Sequence, residues 1–314
     1  MKRLCALLAL LLASAFLFAS CAPEASSFED AYTVEDALGR RVSVPRENLR
    51  VAALLGSFAD VFALAGGSVV AAPRDAWEDF SLSLDGAVDL GGAHTPSMEA
   101  LFSASPTLVL ASASTASHIA MEETLAAVGI SVLYFDVNSF DDYLFMLRAC
   151  TKITGRADLY GKNGLVLKAQ IDAVRDTSKK SLPESERKVL LLRAASGFVK
   201  AKGSEGTVLG EMLHDLGCIN IADSNEGLLE DLNVEQVIRE EPYHIFVVTM
   251  GEDEEKALLS LTRMMEENPA WGTLSAVKEG RLHVMDKALF HLKPNARFGE
   301  AYETLFDILA EKRK

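Results

Sequence analysis

Three of the six histidines, His94, His118 and His291, fall in or just beyond segments that read as loops at strand ends. Imidazoles brought together from such loops can hold a transition metal, and Met250 would add a soft ligand. Loop histidines serve equally well as ordinary hydrogen-bonding residues. Trp77, Phe198 and Phe290 offer flat faces to a planar ligand, although aromatic side chains more often pack a core. Arg297, in His291-Leu-Lys-Pro-Asn-Ala-Arg297, suits a carboxylate or another anion, or simply charges the start of the last helix. No G-x-S-x-G elbow, H-E-x-x-H helix or phosphate-binding G-x-x-x-x-G-K-[ST] loop is present. Cys150 and Cys218 lie in apolar patterns without a C-x-x-C spacing, so both are expected as buried free thiols and not as a disulfide.

The elements that would position these residues alternate strand with helix. Tyr32–Val44 reads as a hairpin about Gly39-Arg40, and Arg50–Leu55 as a buried strand leading into a helix. Ser139-Phe-Asp-Asp142 opens a later helix as a capping box, closed by Gly155. In the stretch 156–180, Tyr160, Gly164, Leu167, Ile171, Val174 and Ser178 recur at steps of three and four, the signature of one buried helix face. Gly161 and Gly164 weaken that helix intrinsically by roughly 1 kcal/mol each.

The sequence on either side of this stretch repeats. Glu99 precedes Pro106 by seven residues in EALFSASPTLVLAS, and Glu235 precedes Pro242 by seven in EQVIREEPYHIFVVT. A second pair follows in the same order, Leu125-Ala-Ala-Val…Phe135-Asp136 and Leu274-Ser-Ala-Val…Met285-Asp286. Paired repeats about a helix predict an α/β fold of two lobes with mostly parallel central sheets joined by one long connecting helix. The expected lobes are 32–155 and 181–314.

The N-terminus reads as an export signal: Met1-Lys2-Arg3, an apolar run from Leu4 to Phe18, then Ala19-Ser20-Cys21. Residues 1–20 form the expected signal peptide and 21–31 a flexible tether. The small residues before Cys21 resemble a bacterial lipobox, which implies lipidation of Cys21 and attachment to the cell membrane by that anchor alone. A net charge of −14 makes nucleic acid and anionic lipid surfaces poor partners.

Six phrases together resemble the substrate-binding proteins of ABC importers that carry iron complexes, haem and cobalamin. They are Gly39–Pro45, Thr95-Pro-Ser-Met-Glu99 with Pro106, Leu125–Val132, Leu216–Asp223, Val234-Glu235 with Pro242, and Trp271–Leu282. The resemblance spans nearly all of the chain from Tyr32 and implies a non-enzymatic, extracytoplasmic, monomeric receptor without a cofactor of its own. Its partners would be a permease dimer with its ATPase, and its cargo a small iron- or cobalt-containing chelate. Glu99 and Glu235 match the exposed glutamates, one per lobe, that meet permease arginines in that family. Arg297 lies where the family often places a residue that reaches the ligand.

In such a fold the ligand cleft lies beyond the carboxyl ends of the strands. The candidates there are Ser57, Phe58, Trp77, His94, Thr95, Ser114, His118, Phe198, Met250, Phe290, His291 and Arg297. Metal or haem iron could be held by His94, His118 and His291. A receptor for a bare transition-metal ion is the alternative cargo, although no histidine follows the first lobe strand, as it does in bare-metal receptors. A metallocofactor enzyme on a related scaffold is the alternative class.

Overall fold

The computed structural model describes residues 31–45, 47–251 and 253–311. The signal segment, Cys21 and the tether up to residue 30 lie outside these. β1 (Ala31–Glu35) and β2 (Arg41–Pro45) form a two-stranded sheet whose turn carries Gly39 at positive φ. The first lobe is a parallel sheet of β3 (Val51–Ala53), β4 (Val69–Ala72), β5 (Val88–Asp89), β6 (Leu108–Ser112) and β7 (Ser131–Phe135), in the order β5-β4-β3-β6-β7. The second lobe contains β8 (Lys188–Ala195), β9 (Phe198–Ala201), β10 (Ile219–Asn220), β11 (His244–Thr249) and β12 (Leu282–Val284). Its parallel order is β10-β8-β11-β12, with β9 antiparallel on β8. The central strands are apolar on both faces, as sheets covered by helices on each side require.

The repeat anticipated from Glu99 and Glu235 extends to the backbone. Helix α1 (Gly56–Leu64) follows β3, and α2 (Met98–Ser103) leads towards β6. Ser97 caps α2 by accepting from the Ala100 N–H at 3.2 Å, and Glu99 is the second helical residue. In the second lobe, helix α4 (Val234–Glu240) is capped by Asn233, which accepts from the Glu235 N–H at 2.9 Å; Glu235 is again the second helical residue. Each helix gives way to a non-glycine residue at positive φ just before the proline, Ser105 (48°) and Glu241 (46°). Each proline then leads into the strand beside the first strand of its lobe, β6 next to β3 and β11 next to β8.

At the end of the first lobe, α3 (Phe140–Thr154) begins with the expected capping box, Ser139 with Asp142, and ends at Gly155 in the left-handed region. The connecting helix then runs as Ala157–Tyr160, a π-helical turn Gly161–Leu165, and Val166–Ser181. The six-residue stripe read from the sequence is its inward face: Gly164, Ile171 and Ser178 are buried, and Tyr160, Leu167 and Val174 are half-buried. The π turn was not anticipated. It accompanies a close approach to α3: a Cβ on Gly164 would sit 3.0 Å from Leu144 Cδ2 and 3.2 Å from Leu147 Cδ2. Tyr143 donates its hydroxyl to the Asn163 carbonyl within this turn at 2.9 Å, and Asn163 Nδ2 donates to the last carbonyl of α1, Leu64, at 2.7 Å.

The far half of the connector is fixed to the second lobe. Ser178 Oγ donates to the Leu216 carbonyl at 2.7 Å, and Arg175 pairs with Asp215 beside Tyr302 of α5 (Phe298–Ala310). One hydrophobic core is continuous from Phe58 and Phe135 through Ile171 to Leu191, Phe246 and Phe298. Phe298 closes on Phe140 and Tyr143 of α3, with ring centres 5.4 and 5.5 Å away. Asn295, fully buried at φ 51°, donates Nδ2 to the Ser57 carbonyl and to Asp60 Oδ2 at 2.9 and 2.8 Å. The lobes are therefore joined by the connector and also by the segment leading into the last helix.

Candidate functional site

Lys293 feels charged groups from both lobes. Its ammonium is half-buried and feels Asp136, just past β7, and Asp142 from the first lobe, together with Arg193 near the end of β8 from the second. Burial is the largest influence and pulls Lys293 below the usual lysine range; the two carboxylates support its charge and Arg193 opposes it.

Of the histidines named from sequence, His118 is excluded as a metal ligand. It is fully buried; Nδ1 accepts from the Ser112 N–H at 3.1 Å, and Nε2 donates to the Ala93 carbonyl at 2.7 Å. With both ring nitrogens bonded, it staples two loops of the first lobe. Burial, despite the Ala93 bond, holds it below the usual histidine pKa, in the neutral form. His94 is exposed, and its own carbonyl accepts from Ser117 Oγ at 2.6 Å. His291 belongs to the second lobe and is half-buried. Burial first, then Arg193, Lys287 and Lys293, push its pKa down to about 4, so it stands as a neutral imidazole. Among the described residues, no three His, Cys, Asp or Glu side chains gather as a metal site.

The aromatic candidates divide. Phe58 and Phe290 are core residues, 1% and 2% exposed, and present no face to a ligand; Phe58 packs edge-on against Phe135 at 6.2 Å. Phe58 and Phe290 lie on short helices whose inward faces hold them. Trp77 is half-buried against the same core, and Phe198 is exposed at the hairpin end of β9. Ser57 is buried and gives its carbonyl to Asn295, whereas Thr95 and Ser114 are on the surface. The Gly56 N–H at the start of α1 is taken by Asp75 Oδ2 at 3.1 Å, so this helix end already holds an anion. A Cβ on Gly56 would lie 2.6 Å from the Ala76 nitrogen, so only glycine admits that approach. Met250 is half-buried beyond β11. Arg297, at the start of the last helix, grips Glu300 in its first turn at 2.7 and 2.8 Å and is exposed, which supports the charged-helix-start reading over ligand contact.

Cations overlooked in the sequence dominate the region instead. Arg193 ends the apolar run of β8, and antiparallel pairing sets it directly opposite Lys200 of β9. Alternation puts Phe198, Lys200 and Lys202 on that same face, with Lys200 Nζ 5.7 Å from the Phe198 ring centre. Burial lowers the Arg193 pKa, and burial followed by Arg193 and Lys200 lowers that of Lys202. Arg193 Nε is buried with no hydrogen-bond partner. His291 and Lys293 also feel Arg193, and His291 feels Lys287, whose Nζ donates to the Gly251 carbonyl at 3.0 Å. The signal was present as a basic residue closing an apolar strand and an alternating Lys-x-Lys after the turn.

The family described as periplasmic binding proteins matches residues 51–289, a span that takes in both parallel sheets and the connecting helix. The chain belongs to this family. A relative in Bacillus subtilis (strain 168), named as an ABC transporter substrate-binding lipoprotein, YhfQ, is 25% identical over 312 residues, covering 93% of each chain. Among solved structures, S. aureus IsdE complexed with heme superposes at a TM-score of 0.71 with 16% identity, covering 84% of this chain and all of that one. Staphylococcus aureus SirA complexed with staphyloferrin B superposes at 0.66 with 18% identity, covering 88% and 97%. These likenesses establish the two-lobed α/β fold in this member of the family. Cys150 and Cys218 are free and buried, and burial pushes both thiols up to about 12, which leaves them unreactive.

Proposed function

We propose that this chain is the extracytoplasmic substrate-binding receptor of an ABC importer, anchored through a lipid on Cys21, and that it carries an iron chelate, haem or corrinoid between its lobes to the permease. The observation that carries the reading is the duplicated docking element. Glu99 and Glu235 are both exposed, both second in a short capped helix, and both followed by a left-handed residue and a proline. Two carboxylates at a separation fixed by a rigid connector can engage two basic sites on one partner in a single orientation. Exposed charges of this kind add little affinity but set register and encounter rate. The YhfQ name supports an ABC substrate-binding role, and the structures of IsdE with heme and SirA with staphyloferrin B support an iron-complex cargo.

A chelate is favoured over a bare ion because His118 has both nitrogens bonded, while the half-buried cations around Arg193 would repel a free metal cation. The test is the double substitution Glu99→Lys with Glu235→Lys. Cargo affinity is expected to stay unchanged and uptake by cells to stop; lost affinity with intact folding would refute the docking role.

A further inference from the structure

The cations of the second lobe point to the chemistry of the cargo, on the premise that the chain is a chelate receptor. Arg193 and Lys200 stand directly opposite one another in an antiparallel pair, where like charges destabilise a sheet. Lys202 is two residues further along the same face, and Lys293 approaches from the segment before the last helix. In a chain of 45 acidic and 31 basic residues, none of these four forms a salt bridge among the described residues. The buried Arg193 N–H without an acceptor adds to the cost of the free state.

Such a face is satisfied by several acceptor oxygens spread over an area, with at least one planar group matched to a guanidinium. Neutral hydroxamate chelates lack the charge, and a corrinoid rim is mostly neutral amide. Haem brings two carboxylates on one edge but requires broad apolar walls, and two of the four candidate aromatics, Phe58 and Phe290, are enclosed in the core. Ferric tris-catecholates carry charge on metal-bound oxygens that can still accept hydrogen bonds, but they offer no uncoordinated planar pair of oxygens to match a guanidinium. Free carboxylates meet both demands. We propose that Arg193, Lys200, Lys202 and Lys293 form a carboxylate-binding wall and that the cargo is a polyanionic ferric chelate of the hydroxycarboxylate class.

The test titrates the purified full chain, in mild detergent, with ferric citrate, ferrioxamine B, a ferric tris-catecholate and haemin, following tryptophan fluorescence. Ferric citrate should bind saturably and weaken with added salt, and Arg193→Gln should weaken it at least about tenfold. The same substitution should leave the melting temperature of the ligand-free protein unchanged or higher, because repulsion and an unsatisfied donor are removed together. Should Arg193→Gln not fold, Lys200→Gln with Lys202→Gln, at the hairpin edge, is expected to give the same loss. Ferric citrate affinity unchanged in a folded variant would overturn the wall. Preference for ferrioxamine B, the catecholate or haemin would overturn the cargo class and leave the receptor reading standing. No binding of any of these iron complexes would overturn the iron-cargo reading on which the proposal rests.

Discussion

Gly161 and Gly164, three residues apart in the connecting helix, should respond to alanine with opposite signs. Gly161 has helical dihedrals (φ −57°, ψ −51°), and an added Cβ meets nothing within 4 Å. Gly161→Ala therefore gains the full helix-propensity difference, about 1 kcal/mol. For a chain of this size that is a rise in melting temperature of about 2 °C or slightly less. Gly164→Ala has the same intrinsic gain, but its Cβ would lie 3.0 Å from Leu144 Cδ2, 3.2 Å from Leu147 Cδ2 and 3.4 Å from Tyr160 Cδ2. Overpacking a closed interface costs about 1–3 kcal/mol. The neighbours here are side-chain ends that can yield a few tenths of an ångström, so the net is expected between zero and about 2 kcal/mol destabilising. The shift would also strain the Tyr143 to Asn163 bond that fixes the π turn. Paired thermal scans by circular dichroism at one scan rate measure the split. Equal stabilisation by both substitutions would refute the view that α3 and the connector are in closed contact at Gly164.

Two further perturbations test the joint and the site. Asn295→Asp faces the buried Asp60, whose pKa is already raised by burial, with a second carboxylate in place of a donor. Urea denaturation should show a loss of about 3–5 kcal/mol at pH 7.5, part of it regained near pH 5 as the pair takes up a proton; equal losses at both values would dismiss the contact. His291 falls from its usual 6.5 to about 4 in the folded state. The unfolded chain therefore binds the proton first, and stability present above pH 6.5 is lost as the pH falls towards 4, by up to about 3 kcal/mol. Replacing it by glutamine should flatten the wild-type decline between pH 6.5 and 4.5, measured by chemical denaturation; an unchanged slope would place the imidazole in water.

Local chemistry made much of the frame legible in sequence. The capping box at Ser139, the glycine stop at 155 and the hairpin about Gly39 each need only neighbouring residues, and each is present. The connector stripe and the Glu-to-Pro repeat are periodicities, and they predicted both the joint and the paired sheets. What escaped depends on partners distant in the chain. The role of His118 is fixed by the Ala93 carbonyl, 25 residues before it. The π turn reflects the depth at which Leu144 and Leu147 meet Gly164. The juxtaposition of Arg193 and Lys200 depends on antiparallel register across the β8–β9 turn, where a shift of one residue would send one of them to the opposite face. The cations were passed over for a related reason: histidine and aromatic residues attract notice as ligands, whereas a basic residue ending an apolar strand looks like ordinary surface.

The joint and the cationic wall together constrain how capture can be signalled. The connector is bonded to the first lobe at Asn163 and to the second at Ser178, and Asn295 and Phe298 bridge the lobes independently. Opening the cleft widely would break the Asn295 to Asp60 bond, separate Phe298 from Phe140 and Tyr143, and expose continuous core, at a combined cost of several kcal/mol. An anion at the wall can relieve local repulsion around Arg193 without doing any of this. Ligand binding should then change the charge and order of β9 and the Lys293 segment while leaving the separation of Glu99 and Glu235 nearly fixed. On that reasoning, a permease would distinguish loaded from empty receptor by the rim of the cleft and not by the spacing of the two glutamates.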